Sequence, residues 1–253
     1  MDKTVLLNPA DYVGVTFWLI SAAMVAATFF FWVERDRAEG KWKTSLTVAA
    51  MVTGIAAIHY FYMREVWVYT SESPTVFRYV DWLLTVPLQI VEFYLILAAM
   101  TAVATGLFWR LLVASLVMLI AGYLGEVNSA NTEALWLLFA IGLAGWLFIL
   151  YEIFAGEASR INANEGTVAG QKAFNALRLI VSVGWAIYPL GYIYGYAGGG
   201  DVAALNIIYN LADFVNKIAF GVVIWAAATS SGDQKTSSKK APSRKAPSKK
   251  ASS

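Results

Sequence analysis

The chain has no cysteine and only one histidine in its 253 residues. Disulfides, thiolate metal sites and multi-histidine metal clusters are therefore excluded, and no metal is expected. Charge is scarce too: 14% of the residues are Asp, Glu, Lys or Arg, where a soluble domain carries about a quarter. With 58% hydrophobic residues, 15% aromatics and a mean hydropathy of +0.57, an ordinary water-soluble enzyme is excluded as well.

The missing charges leave long gaps. Residues 12–33, 44–63, 134–151 and 179–200 contain no Asp, Glu, Lys or Arg, and a membrane helix needs about 20 apolar residues in a row. A shorter gap at 111–125 spans if Arg110 and Glu126 snorkel to the two interfaces. Two more apolar stretches, 75–100 and 203–229, are interrupted by Arg78, Asp81, Glu92, Asp213 and Lys217. The predicted fold class is thus an all-α membrane protein in a lipid bilayer. Its seven-transmembrane bundle has helices at about 12–33, 44–63, 75–100, 107–125, 134–154, 173–196 and 203–229.

An odd number of spans puts the termini on opposite sides. With the N-terminus outside, Arg35, Arg37, Lys41, Lys43, Arg110, Arg160, Lys172 and Arg178 are cytoplasmic, eight residues against Lys3 and Arg64 outside. The positive-inside bias therefore predicts a cytoplasmic C-terminus. The tail from Ser230 to Ser253 adds seven Lys/Arg among Ser, Ala and Pro. Such a segment buries too little apolar surface to order itself. The expected division is a transmembrane domain, 1–229, and a disordered basic cytoplasmic tail, 230–253. No basic n-region with a short apolar core and cleavage site precedes the first span. A signal was removed or none is used. Gly198-Gly199-Gly200-Asp201 reads as a tight outer turn.

A charge in the hydrocarbon costs several kcal/mol and is a functional-site candidate by default. Asp213 and Lys217, four apart, stack on one face of span seven and can pair. In span three, Arg78, Asp81 and Thr85 are spaced i, i+3, i+7, and Glu92 lies eleven residues beyond Asp81. Eleven residues are nearly a whole number of turns, so both carboxylates share a face about 16 Å apart along the axis. Arg78 and Lys217 balance Asp81 and Asp213, leaving Glu92 alone in the inner half. Burial there favours its neutral form. A neutral acid inside, ionised acids outside and a lysine between them make a proton relay. The alternative is that the ion pairs only hold helices together. Pro87 can likewise be just a kink, and Trp82, Trp185 and Tyr188 ordinary packing.

Arg78-Tyr-Val-Asp-Trp-Leu-Leu-Thr-Val-Pro-Leu-Gln-Ile-Val-Glu92, Gly184-Trp-Ala-Ile-Tyr-Pro189 and Tyr209-Asn-Leu-Ala-Asp-Phe-Val-Asn-Lys217 closely resemble the microbial rhodopsins, specifically the bacterial proteorhodopsins. The resemblance runs from about residue 10 to 229. It implies all-trans retinal held by Lys217 as a Schiff base, with Asp81 as proton acceptor and counter-ion, Asp213 as second counter-ion and Arg78 as an outer charge partner. Glu92 would be the proton donor, and in the family the pattern Asp81, Thr85, Glu92 marks outward proton pumps. Trp82, Trp185, Tyr188, Pro189 and Tyr209 would wall the polyene. Gln89 can be an interhelical hydrogen bond, but it matches the family's spectral-tuning position, with Gln in blue-absorbing forms. His59, which can be a core residue, matches a histidine beside the acceptor. Trp18 would then reach a neighbour's His59 in a homo-oligomer, a pentameric or hexameric ring.

The expected function is a light-driven outward proton pump, a transporter and not an enzyme, in a bacterial inner membrane and with no nucleic-acid partner. A sensory photoreceptor on the same scaffold is the alternative, and Glu92 argues against it. A chromophore-free proton-coupled transporter is a third class, which colour would exclude.

Overall fold

The computed structural model describes residues 8–197 and 199–239, with side chains up to residue 230. Its helices are α1 (Tyr12–Glu34), α2 (Lys41–Thr70), α3 (Thr75–Met100), α4 (Thr105–Val127), α5 (Thr132–Phe154), α6 (Glu157–Glu165), α7 (Val168–Leu179), α8 (Ile187–Ala197) and α9 (Val202–Lys239). A 3₁₀ turn, Arg35–Arg37, follows α1, and a π segment, Ile180–Gly184, joins α7 to α8. Among the described residues these make seven segments long and apolar enough to cross a membrane, the sixth being Val168–Ala197. In hydrocarbon each backbone N–H and C=O must be paired within its own segment, so charge-free runs of this length become helices.

Consecutive spans pack side by side, and α9 closes the bundle against α1, α2, α7 and α8. The ends are set locally. Asp11 caps α1 by accepting from the Gly14 N–H at 2.9 Å, and it also accepts from Trp67 Nε1 of α2 at 2.9 Å. Left-handed Ser71 ends α2, and Pro74 precedes α3. Glycines let α4 and α5 approach closely: a Cβ on Gly142 or Gly145 would lie 3.0 Å from the carbonyl oxygens of Met118 and Ala114. Large apolar side chains such as Phe29, Trp32 and Leu137 face outward, as a lipid-facing surface requires.

Three details depart from expectation. Span six is not one α-helix but is broken before Trp185. A short α6 carries the fifth segment on to Glu165, past the expected end at residue 154. The last helix runs to Lys239 rather than stopping at Thr229. No proline occurs between Pro189 and Pro242, and adding turns to an anchored helix avoids the costly nucleation step. Gly198 and residues 240–253, most of the basic tail, lie outside the described residues.

Candidate functional site

The polar centre of the bundle is built by α3 and α9. Their buried charged faces meet, and Lys217 Nζ lies 2.5 Å from Asp81 Oδ2 and 2.7 Å from Asp213 Oδ2. All three side chains are shut off from solvent, with Lys217 only 2% exposed. Such a triad is stable only if the remaining lone pairs are satisfied, and Asp213 meets that condition. It accepts from Tyr60 at 2.8 Å, Tyr188 at 2.5 Å and Trp82 Nε1 at 3.2 Å. Asp81 is less enclosed: its Oδ1 has no hydrogen-bond partner. Thr85 donates to the Asp81 backbone carbonyl at 3.0 Å, not to its carboxylate.

His59 approaches this free oxygen without bonding it. Its Nδ1 is 3.8 Å from Asp81 Oδ1 and 2.9 Å from the Ile55 carbonyl. Arg78 also stands apart from both acids: among the described residues no ion pair reaches it within 4.0 Å. Its Nη2 donates to Asn206 and Asn210 at 2.9 and 3.1 Å, and its guanidinium lies 5.3 Å over the Tyr209 ring. Glu92 is completely buried, and neither carboxyl oxygen has a hydrogen-bond partner. Ser45 of α2 approaches it without reaching hydrogen-bond geometry.

Beside the triad is an apolar cavity, partly open at the surface and lined by Trp82, Val86, Trp146, Trp185, Tyr188, Pro189 and Tyr209 among others. Trp82 and Tyr188 belong both to its wall and to the partners of Asp213, so the cavity abuts the charged triad. Gln89 is not in this wall. Its Nε2 donates to the Asn216 carbonyl at 3.3 Å, the interhelical bond expected of a buried amide, one residue from Lys217. Trp18 is 46% exposed and packs edge-on to Phe61 of the same chain.

The model of the bacteriorhodopsin-like protein family matches residues 11–231. The chain belongs to that family. It is 58% identical over 224 residues to a green-light absorbing proteorhodopsin from the gamma-proteobacterium EBAC31A08 and 56% identical over 225 residues to a blue-light absorbing proteorhodopsin from the gamma-proteobacterium Hot 75m4; both alignments cover 88% of each chain. The crystal structure of blue light-absorbing proteorhodopsin from Med12 superposes with a TM-score of 0.75 at 55% identity, covering 87% of this chain and all of that one.

As a rhodopsin, the chain takes retinal as its chromophore. Its residues fit that group. The cavity's wall is largely aromatic, and a buried primary amine between two carboxylates adjoins it. The sequence reading gave no role to Tyr60, Asn206 or Asn210. A polar residue at helical spacing in an apolar span was their only signal, and α9 carries Asn206, Asn210 and Asp213 on one face.

Proposed function

We propose that the chain is a light-driven outward proton pump whose retinal is held by Lys217 as a Schiff base. The observation that carries this is the polarity of the buried acids. Two lie against Lys217, whereas Glu92 is shut in apolar surroundings about 16 Å away along α3. When bound, retinal supplies photoisomerisation, which changes the geometry and proton affinity at Lys217 Nζ.

Asp81 Oδ2, at 2.5 Å, is the nearest proton acceptor with a free partner oxygen. Asp213 is held by three donors besides Lys217, so it is the less available base and serves as the standing counter-charge. Arg78, held by two asparagines on the outer side, is a positive charge that favours release outward. His59 sits where a small side-chain turn would bring it to Asp81. Thr85 fixes the α3 backbone there. Glu92 holds the proton that restores Lys217 Nζ from the inner side, which gives the transport its direction. Trp82, Trp185, Tyr188, Pro189 and Tyr209 confine the polyene, and Gln89 sets its colour from beside Lys217. Nothing here makes or breaks a substrate bond, so the activity is transport rather than enzymatic.

The positive-inside bias supports an outer N-terminus and a cytoplasmic tail in a bacterial inner membrane. Exposed Trp18 supports a ring oligomer in which it reaches a neighbour's His59. A sensory role is less supported, since a receptor has no need of an isolated inner-side acid. Cells carrying the chain and given retinal should acidify an unbuffered medium on illumination, and a protonophore should abolish the change. Coloured cells with no light-dependent pH change would overturn the pump reading.

A further inference from the structure

The π segment of span six and the turn after it leave the Val181 and Gly184 carbonyls without their helical partners. In an α ladder the Trp185 N–H would bond Val181, but it reaches back to Ile180 at 3.0 Å, and the Ala186 N–H takes Ser182 at 3.2 Å. Val181 is passed over, and its oxygen is taken at 3.0 Å by the indole N–H of Trp146 from α5. Gly184 is passed over because the Tyr188 N–H goes to Trp185 at 3.1 Å. Asn216 Nδ2, from α9, takes that oxygen at 3.1 Å. Two neighbouring spans thus brace the chain on either side of Trp185. A buried carbonyl must find a partner, so the braces fix where the helix is broken. Trp146 and Trp185 both line the cavity.

We infer that Trp146 is a positioning residue: its indole N–H holds the released Val181 carbonyl and thereby sets the face that Trp185 presents to the cavity. π-Bulges are common at functional sites, and here the hydrogen bond between α5 and span six is one of the two braces that hold the bulge. The optical part of the test rests on the retinal pump reading; the exchange part does not.

The test compares Trp146→Phe, which keeps an aromatic wall and removes the donor, with Met118→Leu, another cavity-wall change. Amide hydrogen exchange is read in the dark on the full chain in lipid nanodiscs without retinal. Trp146→Phe should raise exchange at Trp185 and Ala186 by up to about tenfold, the effect of one hydrogen bond, and Met118→Leu should not. With retinal, recovery after a flash should lengthen by a similar factor in Trp146→Phe. Unchanged exchange, or the same rise in both variants, overturns the inference. Should Trp146→Phe fail to assemble, Trp146 is replaced by its benzothiophene analogue, which exchanges only the N–H for sulfur, with the same outcomes. Raised exchange without light-driven acidification would leave the brace standing and sink the pump.

Discussion

Lys217→Ala removes the cation from between two carboxylates 2.5 and 2.7 Å from it, all in a site closed to water. Deleting one partner of a buried ion pair costs about 3–5 kcal/mol because the charge left behind is uncompensated. Here two carboxylates remain, so the loss should lie at the upper end. The hydrogen bonds to Asp213 from Tyr60, Tyr188 and Trp82 survive the change and limit it. If uncompensated charge is the cause, adding Asp81→Asn and Asp213→Asn should restore at least about half of the lost stability. The assay is unfolding of the retinal-free chain by SDS in mixed micelles, followed by circular dichroism, for wild type, single and triple variants. Neither variant should form pigment with retinal. A Lys217→Ala chain within about 1 kcal/mol of wild type, or a triple variant no more stable than the single one, would refute the reasoning. Normal pigment in Lys217→Ala would refute the attachment site.

Asp81→Asn should stop transport and move absorption to longer wavelength, because the counter-charge at 2.5 Å from Lys217 Nζ is gone; an unchanged spectrum contradicts this. Gln89→Leu removes an amide that donates to the Asn216 carbonyl beside Lys217, and it should shift absorption to the red while light-driven acidification persists. Gly184→Ala would put a Cβ 2.1 Å from Asn216 Oδ1. Displacing that brace should lower stability by about 1–3 kcal/mol, read as a fall in the thermal midpoint of the pigment.

The seven spans were legible because the membrane forbids charge and unpaired backbone alike, so the charge-free runs mark the helices directly. The triad was legible for a related reason: Asp213 and Lys217 share a helical face, and Asp81 and Glu92 lie together on one other span. Its hydrogen-bond shell was not. Tyr60 and Asp213 are 153 residues apart, and Arg78 and Asn206 are 128 apart, and nothing in local spacing pairs such positions. Arg78 was expected as a charge partner, and the neutral asparagines that hold it were not anticipated. The π segment was not read, although Pro189, which has no N–H for the Trp185 carbonyl four residues back, marks a disturbed ladder beside it; its released carbonyls are satisfied by residues from other spans.

The central claim is that Glu92 returns the proton from the inner side. Flash photolysis of wild type and Glu92→Gln, followed across pH at the dark absorption band, tests it most directly. At about 16 Å from Asp81 along the helix, the substitution should leave the dark colour nearly unchanged. Recovery should slow, become strongly dependent on pH and be accelerated by added azide, because protons must then come from the medium. Equal, pH-independent recovery in the two proteins would contradict the account.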